Sequence, residues 1–156
     1  MNSYTSIMTT FTLIAAGTAL HAEDYTVSRS VMLDASADEV WNVIGDFCDL
    51  DDWNPGITSC TLKSIDNGVH RIVTLQSGAE IVEKRIASEP GLSYTYRIVD
   101  SPLPLDKYTA TLSITRGAPV EVMWSSRFST DDPSLEAAII GLYESGLAQL
   151  EAHFAK

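Results

Sequence analysis

Residues 46–55, DFCDLDDWNP, place four aspartates within seven positions, beside a cysteine and a tryptophan. Carboxylates this dense could ligate calcium or act in pairs as general acid and base. Both chemistries demand spacings that the stretch does not provide. A calcium loop opening at Asp49 would have Asp51 in its third position but Trp53 in its fifth. Asn54 would replace the turning glycine, and Cys60 the closing glutamate. Consecutive aspartates on a short turn also fail to point into one cleft, as a glycosidase pair must. They are expected to cap turns and face solvent, with weak cation binding as the alternative.

Other catalytic signatures are missing. There is no HExxH, CxxC, GxSxG, P-loop or GxGxxG. Beyond residue 22 the histidines are His70 and His153, which argues against a multi-histidine metal site or a His-based triad. No metal and no cofactor is expected.

One hairpin places charge where its neighbours place apolar side chains. Val69, Arg71, Val73 and Leu75 share a face of 69–76; Ile81, Glu83, Arg85 and Ala87 share a face of 80–88. A turn centred near Gly78 pairs Val73 with Glu83 and Arg71 with Arg85, leaving Arg71 diagonal to Glu83. Such a trio facing an interior needs mutual pairing, water or a polar ligand group. It is either a structural ion pair near a barrel mouth or a polar anchor for a mainly apolar ligand.

The elements around this hairpin are legible from periodicity. Alternation over 24–33 suits a strand. SADE at 36–39 is a capping box with Ser36 as N-cap and Glu39 at N3, and a short helical turn follows over 49–53. From residue 58 to 129 the period is two, with five turn signals that separate six strands in an antiparallel meander. Asp132 as N-cap and Pro133 at N1 open a last helix. Its apolar stripe runs through Leu135, Ile139, Leu142, Tyr143, Leu150 and Phe154. Seven strands and one long helix are expected to form an α+β fold whose curved sheet closes around the helix. Alternation turns Tyr94, Tyr96, Ile98, Tyr108, Ala110, Leu112, Trp124 and Phe128 inward.

The chain has 156 residues, enough for one domain, and a net charge of −11. Its ten Lys and Arg are scattered along the sequence with no visible basic patch. That argues against nucleic acid or an anionic membrane surface as a partner. Residues 1–22 lack charged side chains, contain a short apolar run and end immediately before Glu23-Asp24. They resemble a secretory signal peptide with cleavage after Ala22, which implies a periplasmic or secreted domain over 23–156. The run is too short for a comfortable membrane span. In an oxidising compartment Cys48 and Cys60 could form one disulfide, stabilising by roughly 3 kcal/mol; two buried thiols are the alternative.

The element order, with SADEVWNVIGDF, the DW pair at 52–53, GVHRIVTL, VEKR, SPLPLDKY, VMWSSRF and GLAQL, resembles the START/birch-pollen-allergen superfamily. Within it the chain is similar to the SRPBCC polyketide cyclase/dehydrase and lipid-transport group, over about residues 25–154. The resemblance implies a helix-grip fold, with two short helices after strand 1. It leaves function open, because this fold hosts carriers, receptors, cyclases and oxygenase subunits. The chain also resembles plant abscisic-acid receptors. Their pocket positions fall here on Val73, Leu75, Ile81, Glu83, Tyr96, Ile98, Tyr108, Ala110, Trp124, Leu135, Ile139 and Tyr143. Their gate loop corresponds to the shorter Ser77-Gly78-Ala79-Glu80, their latch to Leu103-Pro104-Leu105, and their carboxylate-binding lysine to Thr58. These departures speak against abscisic acid itself but leave a lidded cavity open, with Arg71 and Glu83 at its polar end.

Three functions remain. The first is a binding protein for a small hydrophobic or amphipathic molecule, held between sheet and helix. The second is a cyclase/dehydratase-like enzyme with Glu83 as proton acceptor. The third is an accessory protein whose cavity is filled by its own side chains. Enclosed space of roughly 300 Å³ or more favours a ligand.

Overall fold

The computed structural model describes residues 22–155. The expected signal peptide lies almost wholly outside the described residues. Strand β1 (Glu23–Leu33) leads to helix α1 (Ala37–Ile44), the short α2 (Leu50–Trp53) and strand β2 (Ile57–Ile65). Strands β3 (Gly68–Leu75), β4 (Glu80–Glu89), β5 (Ser93–Asp100), β6 (Asp106–Ile114) and β7 (Val120–Thr130) continue the meander, and α3 (Ser134–Phe154) closes the chain. The sheet has seven antiparallel strands in the order β1-β7-β6-β5-β4-β3-β2. This is the expected helix-grip fold.

Local sequence explains each junction. Ser36 Oγ accepts from the Glu39 N–H while Glu39 Oε2 accepts from the Ser36 N–H, so the capping box closes as expected. Asp66 and Asn67, at φ 48° and 58°, form the two-residue turn between the paired Ile65 and Gly68. Two left-handed residues are what the twist of a tight hairpin requires. Helix α3 starts one residue later than expected, because Pro133 takes the N-cap position. Asp132 still serves the helix, its Oδ1 accepting from the Ser134 N–H at 3.0 Å.

The core lies between the inner face of the sheet and α3. Leu112, Val120, Val122, Trp124 and Phe128 from the sheet meet Ile139, Tyr143, Leu147 and Leu150 from the helix. Gly146 is also buried, and a Cβ there would lie 2.7 Å from Asn54 Nδ2 and 3.0 Å from the Trp53 ring. A side chain at Gly146 would therefore push α3 off the α2 joint. Among the described residues no helix is long and apolar enough to cross a membrane.

The stretch 46–55 is a structural joint. Asp46 Oδ1 accepts from the Cys48 N–H, and Asp51 Oδ2 from the Cys60 N–H. Cys48 and Cys60 are joined in a disulfide with Cα atoms 5.5 Å apart, which decides the cysteine question. Leu50, Trp53 and Asn54 are buried. Asn54 donates to the Leu142 carbonyl and accepts from the Gly56 N–H, tying the joint to α3. Among the described residues no cluster of potential metal ligands is present.

Candidate functional site

The charged hairpin differs from its expected register. Arg71 stands directly opposite Glu83, and Val73 opposite Ile81. The hairpin is centred at Ser77, one residue earlier than expected, so every pair shifts by two. Leu75 N–H donates to the Ala79 carbonyl and Gly78 N–H to that of Leu75, which fixes this centre. A bulge between Arg85 and Ala87 then breaks the face predicted for β4, leaving Ala87 exposed.

The resulting contact is a buried ion pair, with Arg71 Nε 2.5 Å from Glu83 Oε2. Arg71 Nη1 donates to the Phe47 carbonyl. The guanidinium carbon lies 4.2 Å from the Phe47 ring centroid and 4.6 Å from that of Tyr96. Nη2 has no hydrogen-bond partner among the described residues, so the ring faces supply part of its compensation. Burial pulls the Arg71 pKa down, but Glu83 outweighs it and the guanidinium stays charged. Burial raises the Glu83 carboxyl above its ordinary value, and Arg71 opposes that rise.

Glu83 also lines a cavity of about 180 Å³ between sheet and α3. The other walls are almost entirely apolar. Val73, Leu75, Ile81, Tyr96, Ile98, Tyr108 and Trp124 come from the sheet, Leu103 and Leu105 from the β5–β6 loop, and Leu135 and Ile139 from α3. Ser77 lines both this cavity and a shallow polar groove shared with Asp100, Ser101 and Pro102. The mouth therefore lies between the β3–β4 turn and the β5–β6 loop, where the resemblance put gate and latch.

The sequence of residues 24–155 matches the family described as polyketide cyclase / dehydrase and lipid transport. The chain belongs to this family. Among curated proteins none matches the chain. Its relatives of known structure include XoxI from Bacillus cereus, 29% identical with a TM-score of 0.75, covering 84% of this chain and 96% of that one. A Thermobifida fusca protein is 27% identical at a TM-score of 0.71, covering 83% and 92%. The Zhui aromatase/cyclase from Streptomyces sp. R1128 superposes at 0.69, covering 85% and 94%, and at 13% identity shows the shared fold alone.

In this member of the polyketide cyclase / dehydrase and lipid transport family, three residues expected at the cavity stand behind its wall. Arg71 is fully buried and reaches the cavity only through Glu83. Ala110 is buried beneath the lining. Tyr143 stacks on Trp124 with centroids 4.2 Å apart. The hydroxyls of three cavity-side tyrosines are already engaged. Tyr108 and Tyr143 share a hydrogen bond of 2.6 Å, and Tyr96 accepts from Trp124 Nε1 at 2.9 Å. Burial raises all three tyrosine pKa values.

Sequence reasoning missed Leu50, Gly56, Ile57, Gln76, Ala138 and Leu142, and named Ser77 and Leu105 only as parts of the gate and latch. Helical spacing carried a signal for two of them, because Leu135, Ala138, Ile139 and Leu142 stand at i, i+3, i+4 and i+7. The joint residues Leu50, Gly56 and Ile57 carried none. They reach the wall from within the segment that the Cys48–Cys60 bridge closes.

Proposed function

We propose that the protein binds a small, largely apolar molecule carrying one hydrogen-bond donor, which Glu83 accepts. The observation that supports this most is the placement of one charged group, backed by Arg71, on an otherwise apolar wall. A carboxylate already neutralised by its guanidinium favours a neutral donor over an acid. The cavity falls short of the roughly 300 Å³ typical of drug-sized ligands. It suits a body near the size of benzene, which a dry cavity of about 150 Å³ accepts. A longer amphipath could insert only one end, its remainder passing the mouth beside Ser77.

The family name favours enzymatic chemistry as a second reading, with Glu83 as proton acceptor. Desolvation raises its pKa in the useful direction, but the short bond to Arg71 stabilises the carboxylate and weakens it as a base. The domain is read as secreted or periplasmic, with residues 1–22 removed; the disulfide fits an oxidising compartment.

Native mass spectrometry of protein purified from its own compartment tests the binding reading. The expected spectrum shows an adduct that organic solvent removes. The reading fails if no adduct is present and no alkylphenol raises the melting temperature.

A further inference from the structure

Strand register assembles what the sequence scatters. Lys63 pairs with His70, His70 with Lys84, Lys84 with Arg97, Arg97 with Thr109, and Thr109 with Arg127. These pairs form one transverse row from β2 to β7 on the outer face, opposite the cavity. Four of the chain's ten Lys and Arg stand in it, spanning roughly 24 Å at about 4.8 Å per strand. Lys63, Arg97 and Arg127 are exposed, Lys84 is half-buried and His70 is covered. Lys107, held at φ 54° where the β6–β7 register shifts, joins the row from its side. It lines one groove with Arg97 and another with Arg127.

These cations are unspent. Among the described residues the salt bridges join Arg29 to Glu144, Arg71 to Glu83, and Arg116 to Glu89; none uses a member of the row. Asp24 shares a groove with Lys107 and Arg127, and Asp66 one with Lys84 and Arg97, in neither case within ion-pair distance; Asp24 accepts from Ser129 Oγ instead. In a chain of net charge −11, a row of unpaired cations is a local inversion of sign. Screening over a Debye length of about 8 Å lets it act separately from distant carboxylates.

A second row lies beside it. Thr95 pairs with Thr111, Thr111 with Ser125, and Ser125 with Ser28; the threonine hydroxyls are 2.9 Å apart. Cations beside a band of hydroxyls on a convex surface match a chain that carries both anions and hydroxyls and can follow a curve. We propose that this outer face binds an acidic polysaccharide. The large apolar side chains exposed on the described surface include no aromatic ring, and Tyr25, the aromatic beside Arg127, is half-buried and stacked on Phe128, a poor platform for a series of nucleic-acid bases. A flat bilayer would meet a convex sheet only along its crest.

The test measures binding of fluorescent polygalacturonate at low ionic strength to the wild-type protein. It repeats the measurement with R97Q/R127Q and with R29Q/R116Q, which removes equal charge elsewhere. Saturable binding is expected. Added salt and R97Q/R127Q should each weaken it about tenfold or more, whereas R29Q/R116Q should leave it unchanged. The proposal is overturned if the wild type does not bind, or if both double variants weaken binding equally. It is also overturned if phosphatidylglycerol vesicles or oligothymidylate bind as tightly as the polyuronate.

Discussion

Arg71 and Glu83 face each other across β3 and β4 with Nε 2.5 Å from Oε2, and their side chains are only 0% and 9% exposed. One end of this pair holds the α1–α2 joint through the Phe47 carbonyl, and the other forms the polar spot of the cavity. The ion pair therefore links the joint to the site.

Breaking the pair from either side leaves a buried charge without its partner. Arg71→Met is expected to destabilise the fold by about 3–5 kcal/mol in urea denaturation, and Arg71→Met/Glu83→Leu to recover most of that loss. A double variant as unstable as the single one would contradict this account. Glu83 also has a pH signature, because burial holds its folded carboxyl above the ordinary value of 4.5. The folded state keeps a proton that the unfolded chain releases. The contribution of Glu83 is thus full below pH 4.5 and is lost as pH rises through the folded value.

Reducing the Cys48–Cys60 bridge should cost roughly 3 kcal/mol, the loop being short. It should also loosen the cavity, since Leu50, Gly56 and Ile57 lie within the closed segment. The expected result for Cys48→Ser/Cys60→Ser is a folded protein with a lowered melting temperature and weaker uptake of apolar probes. Unchanged uptake would separate the joint from the site.

Gly146→Ala sets helix propensity against packing. Alanine favours a helix interior by roughly 0.5–1 kcal/mol. The new methyl group would meet Asn54 and Trp53 at 3.0 Å or less, and overpacking costs about 1–3 kcal/mol. Net destabilisation is expected in thermal unfolding, and a stabilised variant would refute the close approach of α3 to the joint.

Tyr96, Tyr108 and Tyr143 retain their protons above the ordinary value of 10.0. The unfolded chain releases them there, so stability falls as pH rises beyond 10, by up to about 1.4 kcal/mol per pH unit for each tyrosine. Tyrosinate absorbance should appear together with loss of the near-ultraviolet dichroism signal. Ionisation of all tyrosines in a still-folded protein would contradict their burial.

Much of this was legible in the sequence because local rules suffice for local features. The capping box at Ser36, the turn at Asp66-Asn67 and the alternation of Tyr94, Tyr96 and Ile98 each depend on neighbours within a few residues. Register does not. The position of the β3–β4 turn rests on hydrogen bonds among Leu75, Gly78 and Ala79, and an error of one residue there put Arg71 diagonal to Glu83 instead of directly opposite it. The same dependence on register hid the outer row, whose members lie far apart in sequence. The residues of 46–55, which suggest a site by composition, instead build the joint that places Leu50 on one.

The central claim is that Glu83 accepts a hydrogen bond from a neutral apolar ligand. Titration calorimetry of the wild-type protein with 4-ethylphenol, 4-ethylanisole and 4-ethylbenzoate tests it without any mutation. A hydrogen bond to a charged group contributes about 1.5–3 kcal/mol, so the phenol should bind at least about tenfold more tightly than its methyl ether, and the benzoate most weakly. Equal binding of phenol and ether, or preference for the acid, would contradict it.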